Sequence, residues 1–335
     1  MTKQAFSYAV RPGKFIDRAL FVELLQHVDR YVSVRRAAYI GFGGPCLEDH
    51  RVIHSAFGIK KLVSIERDGD IFRQQIFNKP LREIRCLNMD AKDFLDEFDA
   101  EMARAKIAPS LNKIAWLDYE APGELMHQLQ SLQALIKLLD DGDVVRITLN
   151  ANASSLGGHQ EGEAEEDFRA RRMEKLMARL GDFAPEGISA ESTQHAGYYK
   201  VLLSAVRVAA SRATANSGRT FLPLLTVHYS DGQAMLTVSG VVLQDGNVSS
   251  FLRASDLKSW AHYAGNWAEA EKVSEAPSLT LRERFHFDQV MMRSTGKLPS
   301  RLAYLEKIQS STPKKLIARY RRYQRFFPKF QNVDI

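Results

Sequence analysis

Cysteine is nearly absent: the 335 residues hold two, Cys46 and Cys86. Two distant thiols make no disulfide framework, which predicts a reducing compartment, the cytoplasm, and a fold held by its own core. Both are expected to be inert small hydrophobes in or beside buried strands. No stretch approaches the ~18–20 apolar residues of a membrane span, so no transmembrane segment is expected. The opening residues, Met1 to Phe6, lack the apolar segment of a secretion signal. Repeats and low-complexity tracts are missing as well. His50, His54, His159, His195 and His228 are assigned to no metal, and Glu48-Asp-His50 reads as the solvated first turn of a helix. Positive surplus is lacking over most of the chain. From Arg301 onward there are nine Lys/Arg against two Asp/Glu, more than the whole chain's net charge of +6, so everything before Arg301 is slightly acidic.

What is there begins at Tyr39-Ile-Gly-Phe-Gly-Gly-Pro-Cys46, the end of a buried strand breaking into a glycine turn. A helical run follows from Leu47 to Phe57, then a short apolar strand, Lys61 to Glu66, ending in acid. Strand, glycine loop, helix, strand and acid form the first half of a nucleotide-binding α/β sheet. Glycines let the backbone approach a ligand, and a helix N-terminus offers free N–H groups.

Ile84 to Asn88 reads as a third strand, with Asp90 at its exit either meeting a ligand or capping the helix Ala91 to Phe98. Lys113 to Asp118 is a fourth strand, and Tyr119-Glu120 opens its exit loop. Leu125 to Leu139 is an amphipathic helix, and Asp143 to Leu149 a fifth strand. This alternation predicts a parallel sheet with right-handed crossovers. The pattern breaks at about 150–195, a polar loop and charged helix (Glu161 to Leu180) expected to lie over the ligand face. A buried helix, Tyr198 to Ala210, follows. Leu222 to Tyr229 and Ala234 to Leu243, joined through Asp231-Gly232, read as an antiparallel hairpin.

Before the sheet, Ile16, Leu20, Leu24, Val28 and Tyr31 mark an amphipathic helix from about Phe15 to Val32. It is expected to lie on the sheet; the alternative is that Arg11 and Lys14, flanking a Pro-Gly turn, reach an acidic ligand at the sheet's edge. After the hairpin, helices are expected over Leu257 to Ala270, Arg282 to Met292, Leu302 to Ile308 and Pro313 to about Phe327. The organisation is therefore an α/β domain, 1–248, and a helical basic extension, 249–335.

With these residues placed, roughly 35–245 resembles the class I S-adenosylmethionine-dependent methyltransferases. Arg11-Pro-x-Lys14 and Trp116-Leu-Asp-Tyr-Glu120 add a fainter similarity to prokaryotic O-methyltransferases. The resemblance implies a Rossmann-like sheet of seven mostly parallel strands with a terminal antiparallel hairpin. It also implies S-adenosyl-L-methionine as cofactor and methyl transfer to an oxygen or nitrogen nucleophile. Gly41, Gly43 and Gly44 would cradle the cofactor's amino-acid end, Glu66 its ribose, and Asp90 with Ala91 its adenine. Asp118 and Tyr119 would lie nearest the methyl group, with Asp118 and Glu120 as candidate bases.

Ala38 stands where that family usually has an acid, and Pro45-Cys46 replaces small residues, so a non-catalytic member of the fold is the second reading. A nicotinamide dehydrogenase would want a third glycine where Cys46 stands. The loop after Asp118 lacks the Pro-Pro-aromatic pattern of amino-directed nucleic-acid methyltransferases. In the tail, Leu316, Tyr320, Tyr323 and Phe327 form one stripe with arginines mostly off it. The stripe is expected to pack. Residues 314–329 are an open surface for nucleic acid or an acidic protein.

Overall fold

The computed structural model describes residues 12–230, 232–273, 279–293, 297–298, 300–308 and 311–326. Arg11, Asp231 and Phe327 lie outside these. An eight-stranded sheet organises the chain, in the order β3-β2-β1-β4-β5-β7-β6-β8. The first five strands are parallel: β1 (Ala38–Gly41), β2 (Lys61–Glu66), β3 (Ile84–Asn88), β4 (Lys113–Asp118) and β5 (Asp143–Asn150). β6 (Arg219–Ser230) and β7 (Ala234–Gln244) form the expected antiparallel hairpin, with β7 also antiparallel to β5. The seven expected strands are all present. A two-residue strand, β8 (Glu271–Lys272), adds an eighth at the edge of β6.

Helices cover both faces. α1 (Pro12–Val28) lies on one, its Ile16, Leu20, Phe21, Leu24, Leu25 and Val28 buried against Tyr39, Trp116, Val144 and Val227. It stops short of Val32 because the Asp29 carboxylate accepts from Val34 N at 2.7 Å and starts a separate turn. α2 (Glu48–Phe57) and α3 (Gly69–Asn78) follow β1 and β2. α4 (Ala91–Asp96), α5 (Phe98–Arg104) and α6 (Leu125–Leu138) follow β3 and β4. α7 (Glu165–Leu180) and α8 (His195–Thr214) precede the hairpin.

The insertion is rooted at the carboxyl end of β5. Its Leu156, Leu176, Leu180 and Phe183 join the buried cluster that holds Leu129 and Leu132 of α6. Beyond the hairpin come α9 (Val248–Ser255), α10 (Leu281–Arg293), α11 (Tyr304–Ile308) and α12 (Pro313–Tyr323). Leu316, Ile317, Tyr320, Tyr323 and Phe326 enter the same cluster as α1, as the tail stripe predicts.

The expected helix over Leu257 to Ala270 is absent. Only a 3-10 turn, Leu257–Ser259, forms, and Gly265 sits at φ +61. Trp260 and Trp267, seven residues apart, would share a helix face. Instead they pack in different clusters, Trp267 stacking on Phe221 at 5.9 Å. No helix among the described residues is long and apolar enough to cross a membrane.

Candidate functional site

Strand order reverses direction between β1 and β4, and the crevice at their carboxyl ends is where open α/β sheets take ligands. The glycine loop enters it from β1. A Cβ on Gly41 would stand 3.1 Å from the Trp116 carbonyl oxygen and 3.2 Å from Tyr39 Oη. On Gly43 it would overlap Leu47 Cδ2 at 2.1 Å and Ser64 Oγ at 2.6 Å. Gly44 has φ +51 and faces open space, the position of the three where backbone can meet a ligand.

The loop is tied down by residues outside the motif. Gln75 of α3, fully buried, accepts from Ser64 Oγ at 3.0 Å and donates to the Gly44 carbonyl at 3.0 Å. Asn78 Nδ2 donates to the Pro45 carbonyl at 2.9 Å. Sequence reasoning missed both; a glutamine inside a polar helix carries no mark of burial. Cys46, expected in or beside a buried strand, is exposed, whereas the next residue, Leu47, is buried.

Glu66 stands at the end of β2, half exposed, one carboxylate oxygen accepting from Asp68 N at 2.9 Å. Burial raises its pKa, and the backbone hydrogen bonds only partly oppose this. Asp90 is the N-cap of α4, accepting from Asp93 N at 2.9 Å, exposed at the rim, with Ala91 half buried beside it. Arg67 bridges to Glu124 at 3.0 Å, joining the exits of β2 and β4.

Asp118 is the most constrained of the expected residues. Its Oδ2 pairs with Lys14 Nζ at 2.8 Å, and both side chains are largely buried. Burial alone would raise the Asp118 pKa, but the adjoining ammonium and its hydrogen bond reverse this and hold the carboxyl below its ordinary value. Tyr119 packs edge-to-face on Phe42 of the glycine loop, centroids 5.1 Å apart, and burial pushes its phenol up to about 12. Glu120 is exposed, its carbonyl held by Asn150 Nδ2 at 2.9 Å.

Lys14 belongs to an ionic array that the sequence did not reveal. Lys14, Asp17 and Arg18 stand at i, i+3 and i+4 on α1 and so share a face. Arg18 Nε meets Asp49 Oδ1 of α2 at 2.6 Å, and Asp17 pairs with Arg146 of β5, both wholly buried. Arg146 also donates to Ser239 Oγ at 2.8 Å, and its guanidinium lies 4.4 Å from the Trp116 ring centroid and 4.6 Å from that of Phe21. The expected solvated turn at Glu48-Asp-His50 is therefore corrected: Asp49 is buried on Arg18, and His50 is buried with Nε2 2.9 Å from the Val63 carbonyl. The reason is that α1 covers this turn. Among the described residues no three His, Cys, Asp or Glu side chains converge as a metal site.

The tail arginines are largely engaged within the fold. Arg322 pairs with Glu271, and Arg325 Nη2 donates to Glu23 Oε2 of α1 at 3.0 Å.

Three comparisons bear on this arrangement. A family model described as "Putative O-methyltransferase" matches residues 6–335. Among curated proteins, none matches. Among solved structures, the chain is similar to the O-methyltransferase TomG from Streptomyces achromogenes, in complex with SAM, at 14% identity and TM-score 0.35, covering 67% of this chain and 80% of that one. It is also similar to the plantazolicin methyltransferase BpumL, in complex with a desmethyl analogue and SAH, at 10% identity and TM-score 0.39, covering 68% and 84%.

Proposed function

The chain belongs to the family described as putative O-methyltransferases, and from that premise we propose that it transfers a methyl group from S-adenosyl-L-methionine to an oxygen nucleophile. The observation that carries the reading is the convergence of the glycine loop, Glu66, Asp90 and Asp118 on one crevice at the carboxyl ends of β1 to β4. The residues fit such a cofactor. Gly44 leaves backbone open, and Glu66, half exposed at the end of β2, can reach a ribose hydroxyl. Asp90 and Ala91 form the rim where the adenine edge would lie. Gly41 and Gly43 serve the loop's own packing, which keeps Gly44 in place.

When bound, the cofactor supplies a methyl carbon already activated by its sulfonium, so the protein's task is chiefly alignment. Asp118 does this as a fixed anion. With its pKa depressed by Lys14 it stays ionised at neutral pH and is a weak proton acceptor. Tyr119 keeps its proton there and, packed on Phe42, forms a wall between the loop and the β4 exit. Glu120, exposed in the same loop, is the candidate general base.

A second reading, ligand binding without catalysis, draws on the engagement of Asp118 by Lys14. Calorimetric titration with S-adenosylmethionine and S-adenosylhomocysteine tests the shared premise, with one-to-one binding and a raised melting temperature expected. Saturating ligand with neither heat nor shift overturns both readings. Binding followed by methylated products from a panel of hydroxyl-bearing acceptors, lost in Glu120→Gln, separates the first from the second.

A further inference from the structure

The amino-terminal edge of the sheet, opposite the crevice, carries a second concavity. A cleft of about 350 Å³ lies between the starts of β2 and β3 and the turn after α5. Leu62, Val63, Ile84 and Ile107, themselves buried in the core, back the cleft, and Lys60, Lys61, Arg82 and Lys106 form its rim. Measured along β2, Lys61 and Glu66 are roughly 17 Å apart, so the cleft is separate from the candidate active site.

The charge of this rim is not neutralised from within. Arg85 and Arg104 also line the cleft, but both are held by Glu101. Lys60, Lys61, Arg82 and Lys106 have no ion pair among the described residues, and Glu83 is the single carboxylate of the lining. Four like charges around one concavity raise its attraction for anions. Lys106 holds φ +54, a left-handed backbone, and the turn it makes places residues 104–107 in the lining of the cleft. The cations come from three separate stretches of chain and surround the cleft, rather than running in a line. That arrangement suits a compact multi-anion better than an extended strand.

We propose that this cleft binds a compact phosphorylated ligand carrying two or more negative groups. The rim would receive its phosphates.

Isothermal titration of the full chain with inorganic tripolyphosphate tests it, beside a variant in which Lys60→Gln, Arg82→Gln and Lys106→Asn are combined. Asn accepts positive φ, Lys60, Arg82 and Lys106 are exposed, and Lys61, half buried in the strand, is left alone. An unchanged melting temperature checks that the variant is folded. The expected result is saturable binding to the parent, at least ten-fold weaker in the variant and weakened by salt. No binding, or equal binding by parent and variant, overturns the proposal. Equal affinity for sulfate and tripolyphosphate reduces it to general charge attraction and overturns it too. A single-stranded RNA twelve-mer that binds more tightly, and is not displaced by tripolyphosphate, replaces the compact ligand with a polymer.

Discussion

Lys14 Nζ lies 2.8 Å from Asp118 Oδ2, joining the first helix to the exit of the fourth strand across 104 positions of sequence. Both partners are taken largely out of water, so each holds the other in its charged form. Removing one leaves a buried charge alone, which costs about 3–5 kcal/mol, whereas removing both is far milder. Lys14→Met is therefore expected to lose most of that stability in urea denaturation, and Lys14→Met with Asp118→Asn to recover much of it. Additive losses in the double variant contradict the coupling.

The same pair sets a pH window. Asp118 is depressed below its ordinary 3.8, so its contribution is complete above that value and is lost as pH falls through the folded value. Lys14 is raised above its ordinary 10.5. Burial opposes the shift, but Asp118 and Asp49 together outweigh it, so its contribution is complete below 10.5 and fades as pH rises through the folded value. Stability measured against pH should fall less steeply below about 3.8 in Asp118→Asn/Lys14→Met than in the parent. An unchanged acid limb tells against it.

Cofactor affinity should depend on Glu66. Glu66→Ala is expected to weaken S-adenosylhomocysteine binding by about 1–3 kcal/mol, the worth of a charged hydrogen bond to a ribose. Because the Glu66 side chain is half exposed and only its own turn leans on it, the melting temperature should move little. Calorimetry and melting of the same preparation separate the two effects.

The loop glycines should differ in kind. Gly43→Ala drives a methyl into Leu47 and Ser64 and is expected to cost about 1–3 kcal/mol by overpacking. Leu47→Ala in the same chain should relieve part of the clash, a non-additivity that denaturation of the single and double variants reads directly. Gly44→Ala meets nothing but is strained at φ +51, costing about 1–2 kcal/mol.

In the tail, Tyr320→Ala should destabilise by about 3–5 kcal/mol, since the ring is buried against Phe287 with centroids 5.0 Å apart. Arg322→Gln should also lower stability, because it strips a cation from Glu271. Burial would raise that carboxyl's pKa, but His262, Arg322 and Tyr323 hold it at about 2. The contribution is complete above the ordinary 4.5 and lost as pH falls toward 2, so the Arg322→Gln deficit should be present at pH 7 and shrink in acid. Arg321 is exposed and in no ion pair among the described residues, so Arg321→Gln should leave the melting temperature unchanged.

Much of the scaffold is legible in the chain itself. Alternating apolar runs and glycine turns mark the seven principal strands, and the positions of Gly41, Gly44, Glu66, Asp90 and Asp118 follow from where those strands end. These signals are local: they depend on a period of two or 3.6 residues and on backbone conformations open to glycine. What only the tertiary structure decides is the partner of each charge. Lys14, Asp17 and Arg18 are spaced as on any solvated helix face. Their burial arises because α1 lies on the sheet, where Lys14 meets Asp118 at the end of β4 and Asp17 meets Arg146 of β5 from 129 positions away. Gln75 clamps the glycine loop for the same reason. The tail's positive surplus is partly absorbed by Glu271 and Glu23, while Lys60, Arg82 and Lys106, scattered in sequence, gather around one cleft. A charge has no periodicity to announce its partner, because an ion pair is set by which elements pack together and by how much water that packing removes.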